Sequence, residues 1–124
     1  MEYPTIAQVR RYTRGLPYQE RIDVISQGFH FGASIVHCYS ISEFVYAVGK
    51  REHNNPAGGV RELDENVVVP WLAEVVGDTV LAEAVKRIFR DCGSMAEVVD
   101  TVRTVVYVRT NQYREVLEED GQLT

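Results

Sequence analysis

Cysteine is nearly absent: Cys38 and Cys92 are the only two in 124 residues, and they stand far apart with no CxxC spacing. That excludes a disulfide framework of the kind that staples small secreted domains, and free buried thiols are the expectation. No run of about 18 apolar residues is present, so no membrane-spanning helix is expected. The first residues lack a basic, then apolar, then small-residue pattern, so no secretory leader is expected and the chain reads as cytoplasmic. Positive charge is in deficit as well. A formal net charge of −5 argues against general binding to nucleic acid or anionic membrane, both of which depend on clustered Lys and Arg.

The familiar catalytic and phosphate-binding spacings are missing too. No GxSxG elbow, HExxH, GxxxxGK[ST] or GxGxxG occurs, and Gly58 and Gly59 in AGGV form a glycine pair without the flanking residues of a phosphate loop. Neither a metal nor any other cofactor is expected, and the chain is not expected to be an enzyme. The length suits one domain, residues 1–124, large enough to form a core without metal or disulfide support.

What the sequence does contain is apolar periodicity. From Tyr18 to Tyr39, Ile22, Ile25, Phe29, Ala33 and Val36 recur every three or four residues, the spacing of one helical stripe. Val24, Gly28, Phe31, Ile35 and Tyr39 widen that stripe, leaving a single polar row of Asp23, Ser26, His30, Ser34 and His37. A central, mostly buried helix over about 18–39 is therefore predicted, with Phe29 at the middle of the core. Gly28 and Gly32, spaced GxxxG, would let a neighbouring helix approach it closely.

The flanking segments carry helix punctuation. Thr5 with Gln8, Ser40 with Glu43 and Ser94 with Glu97 are capping boxes. Gly15 and Pro17 end the first helix, and Ile41, Phe44, Val45 and Val48 give the helix after Ser40 an apolar face up to Gly49. Asn54, Asn55, Pro56, Gly58 and Gly59 concentrate turn formers in one long loop. Val67 to Val69 suits a short strand, whereas Pro70 and Trp71 read as a helix start with Gly77 as its stop. Asp78 caps the next helix. The segment after Ser94 keeps a 3.6-residue period despite its β-branched TVRTVVYVRT portion, because no Gly or Pro interrupts it. The fold class expected is all-α, a compact bundle of about five or six helices around the 18–39 helix. The alternative is mainly α with a minor two-stranded element using Val67 to Val69.

Site expectations follow from the same residues. Asp23, His30 and His37 are metal-ligand types, but the two histidines are seven residues apart, about 10 Å along a helix. One zinc cannot take both, so they are expected as hydrogen-bonded core or interface histidines. The leading function is a small non-catalytic interaction module, a regulator, inhibitor or accessory subunit, presenting a helical surface and the 53–62 loop to a protein partner. Its expected contacts are Arg10, Arg11, Arg14, Lys50, Arg51, His53, Arg61 and Glu62; a second copy of the chain is the alternative partner. A small helical enzyme or ligand-binding domain using Asp23, His30 and His37 is the second function. An accessory subunit touching nucleic acid through the N-terminal arginines is the third.

Overall fold

Alternation, and not helical spacing, governs residues 22 to 38. In the computed structural model, which describes residues 1–28, 32–49 and 59–121, Ile22 and Val24 are buried while Asp23 and Ile25 are exposed. That period of two belongs to a strand with one covered face. β1 (Ile22–Gly28) and β2 (Gly32–Cys38) pair antiparallel in a register that runs from Ile22↔Cys38 to Gly28↔Gly32. β3 (Gly59–Val60) adds to the other side of β1 through Ser26↔Val60, so the sheet order is β2-β1-β3.

The all-α expectation is thus overturned: the chain is mainly helical with a three-stranded antiparallel sheet, and the predicted central helix is a hairpin preceded by a short 3₁₀ turn, Tyr18–Glu20. The cause lies in side-chain shape. Ile22, Val24, Ile25, Ile35 and Val36 are β-branched, stiff in a helix and suited to a pleated surface. Gly28 and Gly32 would each cost a helix about 1 kcal/mol. Gly32 has φ +71°, a left-handed conformation that glycine adopts without a steric penalty. Phe29, placed by periodicity at the heart of the core, lies outside the described residues.

The helix signals hold elsewhere. In α1 (Ile6–Tyr12) Thr5 Oγ1 accepts from the Gln8 amide at 3.2 Å while Gln8 Oε1 accepts from the Thr5 amide at 2.8 Å. α2 (Ile41–Gly49) starts with Ser40 Oγ accepting from the Glu43 amide. α4 (Thr79–Asp91) is capped by Asp78 and α5 (Met95–Glu119) by Ser94. The TVRTVVYVRT portion is continuous with α5, because Val98, Val99, Val102 and Val106 lie buried along its seam and that burial outweighs the β-branched penalty.

The alternative two-stranded element at Val67 to Val69 is also overturned. These residues lie in α3 (Glu65–Pro70), whose first turn is fixed by Asp64 accepting from the Asn66 amide at 2.9 Å. Pro70 does not open the helix but sits at its last residue, and a π-helical stretch, Trp71–Val76, continues from it. The Gly77 amide bonds back five residues to the Leu72 carbonyl at 3.0 Å. Gly77, at φ +95°, then ends the segment, as its position in the sequence predicts.

α2 packs on all three strands and also on α5, so Ile41, Phe44, Ala47 and Val48 are buried between sheet and helices. α1 and α4 pack on other parts of α5. Trp71 closes one end of this core: its ring lies 5.5 Å from that of Phe44, and its Nε1–H donates to the Glu20 carbonyl at 2.8 Å. No helix among the described residues is long and apolar enough to cross a membrane. With α2 covering one face of the sheet, Ile25, Ile35 and His37 are left on the other, uncovered face.

Candidate functional site

The hairpin divides the polar row between its two faces. Asp23 and His37 are cross-strand partners on the uncovered face, whereas Ser26 and Ser34 are partners on the opposite face, nearer the closed end of the hairpin. His30, like Lys50, Arg51 and His53, lies outside the described residues. His37 is exposed and not part of the core. Its Nδ1 lies 2.6 Å from Asp23 Oδ1, and Arg21 Nε lies 3.0 Å from the same oxygen and 3.3 Å from Nδ1. Nδ1 must carry a proton to reach the carboxylate, so the guanidinium also donates to Asp23 and not to the ring. The His37 hydrogen bond, reinforced by Arg21, holds the Asp23 carboxyl below its usual value. Arg21 in turn stacks 3.8 Å above the Tyr18 ring. Among the described residues no group of three metal-ligating side chains converges.

Beside Asp23 the uncovered sheet face forms one wall of a groove of about 910 Å³. Ile25, Gln27 and Ala33 supply that wall; Arg61 to Glu65, Val67, Phe89 and Met95 supply the other. A smaller recess of about 500 Å³ adjoins it, sharing Asp23 and Val67 and reaching Arg21, Trp71 and Glu74. Arg61 and Glu62, expected as partner contacts because they end the long loop, therefore both line the groove.

The N-terminal arginines are engaged within the chain. Arg14 donates to the Val75 and Val76 carbonyls, capping the end of the π-helical stretch. Arg11 lies across Gly77, where a Cβ would stand 3.2 Å from Nε. Arg10 is 3.9 Å from Asp120, and the Tyr3 hydroxyl donates to Glu115. Arg10 at one end of the described chain thus meets the acidic end of α5 within one molecule.

No family model, curated protein or solved structure matches this chain.

A buried cluster went unrecognised in the sequence. Asp78 and Arg109 are 0% and 1% exposed, and Arg109 holds the carboxylate with two bonds, Nε to Oδ2 at 2.7 Å and Nη2 to Oδ1 at 2.9 Å. The Tyr113 hydroxyl donates to Asp78 Oδ2, and the Leu81 amide donates to Oδ1. Arg109 Nη1 reaches the Glu2 carbonyl at 2.6 Å and Gln112 Oε1 at 2.8 Å, while Gln112 Nε2 donates to the Met1 carbonyl. Burial, then the Asp78 carboxylate, raises the Tyr113 phenol far above its ordinary value and keeps it a donor. Burial alone would lower Arg109, but Asp78 outweighs it and the net shift is upward. With every buried side-chain polar atom among the described residues partnered, this cluster joins α4, α5 and the N-terminal segment structurally. The signal was available: Arg109 falls on the same α5 stripe as Val102, Val106 and Tyr113, and a charge on an apolar stripe calls for a buried partner.

Cys38, fully buried at the end of β2, behaves as the sequence expects, whereas Cys92 is only half-buried. Burial, with Glu43 and Asp23 nearby, pushes the Cys38 thiol from about 9 up to about 11. The unfolded chain therefore releases this proton first, and stability should fall as pH rises from about 9 towards about 11. Cys38→Ala should flatten part of that fall when urea midpoints are compared between neutral and alkaline pH. Equal alkaline losses in both proteins would exclude the thiol as a contributor.

Proposed function

We propose that the chain is a small non-catalytic protein-interaction module whose working surface is the uncovered sheet face and the groove beside it. The carrying observation is the pair Ile25 and Ile35, side by side across the strands at 54% and 62% exposure. Large apolar side chains so exposed cost little singly, but an adjoining set that continues into a groove is the mark of an interaction site. Val67 and Met95, at 45% and 40% exposure, extend the set along the groove. The described end of the 53–62 loop supports the same surface through Arg61 and Glu62. The two free thiols support a cytoplasmic setting.

A photo-crosslinking residue at Ile35 or Val67 should give discrete protein adducts in extract from the native host. The same residue at Tyr46, 71% exposed on α2, should give none. Adducts at Tyr46 alone, or at no position, would overturn the assignment of this surface.

The Asp23 and His37 pair beside the smaller recess favours a second reading, a ligand-binding domain or small enzyme using that imidazole. It predicts a small molecule that raises the melting temperature of the wild type but not of His37→Gln.

A further inference from the structure

From the charge around the groove we infer that its partner is a basic, amphipathic peptide segment of another protein. This rests on the interaction reading and adds the chemistry of the occupant. Both walls carry apolar side chains, Ile25 from β1 on one and Val67 from α3 and Met95 from the start of α5 on the other. The rim is acidic: Asp23, Glu62, Asp64 and Glu65 face the single cation Arg61 among the described lining residues. An occupant must therefore place apolar side chains between Ile25, Val67 and Met95 and Lys or Arg along the edge, the pattern of a helix laid in a groove with a charged outer face.

Charge disfavours the other occupants. A second copy carries the same net −5, and a two-fold contact through this face would set one acidic rim against another. Three of its N-terminal arginines are engaged as well: Arg10, Arg14 and Arg21 already meet Asp120, the Val75 and Val76 carbonyls, and Asp23. A small molecule is disfavoured by shape: pockets for such ligands enclose most of the ligand surface, whereas Ile25, Val67 and Met95 stand about half exposed.

Two rim carboxylates serve no cap or ion pair described above, Glu62 and Glu65, and both are exposed. They are the positions to change, because Asp64 caps α3 and Asp23 holds His37. The probe is a fluorescent designed helix with a leucine stripe and a lysine face, compared with the same helix carrying glutamate in place of lysine. By fluorescence anisotropy the lysine helix should bind at least tenfold tighter than the glutamate helix, and added salt should weaken it. Glu62→Gln with Glu65→Gln should weaken it tenfold or more. Glu118→Gln with Glu119→Gln, which removes equal charge from the far end of α5, should change it less than twofold. Equal binding of the two helices, or equal weakening by the two double variants, overturns the inference. So does a dimer in sedimentation that Ile25→Lys dissolves, since a second copy would then occupy the face. Crosslinks at Ile35 and Val67 alongside equal binding of the helices would leave the interaction reading standing and remove only the basic partner.

Discussion

Asp78→Ala should be the most destabilising single substitution in the chain, lowering unfolding free energy by about 3–5 kcal/mol. Without the carboxylate, the guanidinium of Arg109, 1% exposed, keeps only two neutral acceptors, the Glu2 carbonyl and the Gln112 amide oxygen. The Tyr113 hydroxyl loses its acceptor and the Leu81 amide loses its cap in the same step. Asp78→Asn keeps an oxygen acceptor at that site but not the charge, so it should fall between wild type and alanine. Replacing the pair together, Asp78→Leu with Arg109→Met, should recover part of the loss, because an apolar pair leaves no buried charge without its counterion. Urea midpoints with unchanged slope would give the series. A loss under about 1 kcal/mol for alanine would show that water reaches Arg109 and that the cluster is not sealed.

Phe44→Ala should come next, at about 3–5 kcal/mol, the range for removing a fully buried aromatic ring. Phe44 is 0% exposed, lies between the sheet and the helices, and leaves the Trp71 ring without its neighbour when removed. Tyr46→Ala, two positions along α2 but 71% exposed, should change stability by no more than about 0.5 kcal/mol. Similar losses at the two positions would mean that α2 does not bury the face assigned to it.

The helices were legible because their ends are chemically marked. Thr5, Ser40, Asp78 and Ser94 each offer a short oxygen to the amide of the residue three positions on, and Gly77 ends its segment in the left-handed region. The hairpin was misread because its residues satisfy two geometries at once. Asp23 and His37, Ser26 and Ser34, and Gly28 and Gly32 are placed symmetrically about position 30. The polar positions among them form a row on a helix, and all three pairs are cross-strand neighbours in the hairpin. Periodicity cannot separate the two, whereas the β-branched content of 22–25 and 35–36 favours the strands. The groove could not be read in advance, since it joins Ile25 to Val67 and Met95 across 42 and 70 positions of sequence. They meet because α2 covers one face of the sheet and leaves Ile25 on the other, which borders the groove.

The hydrogen bonds that tie Met1 and Glu2 to α5 also set an order of events during synthesis. Arg109 and Glu2 are 107 positions apart, and Gln112 and Met1 are 111 apart. At a translation rate of about 5–20 residues per second, the leading segment waits on the order of 10 s for these partners to be made. The hairpin, whose paired residues are never more than 16 positions apart, can form while that segment is still unattached. Met1 and Glu2 thus stay without these two partners until α5 has been made.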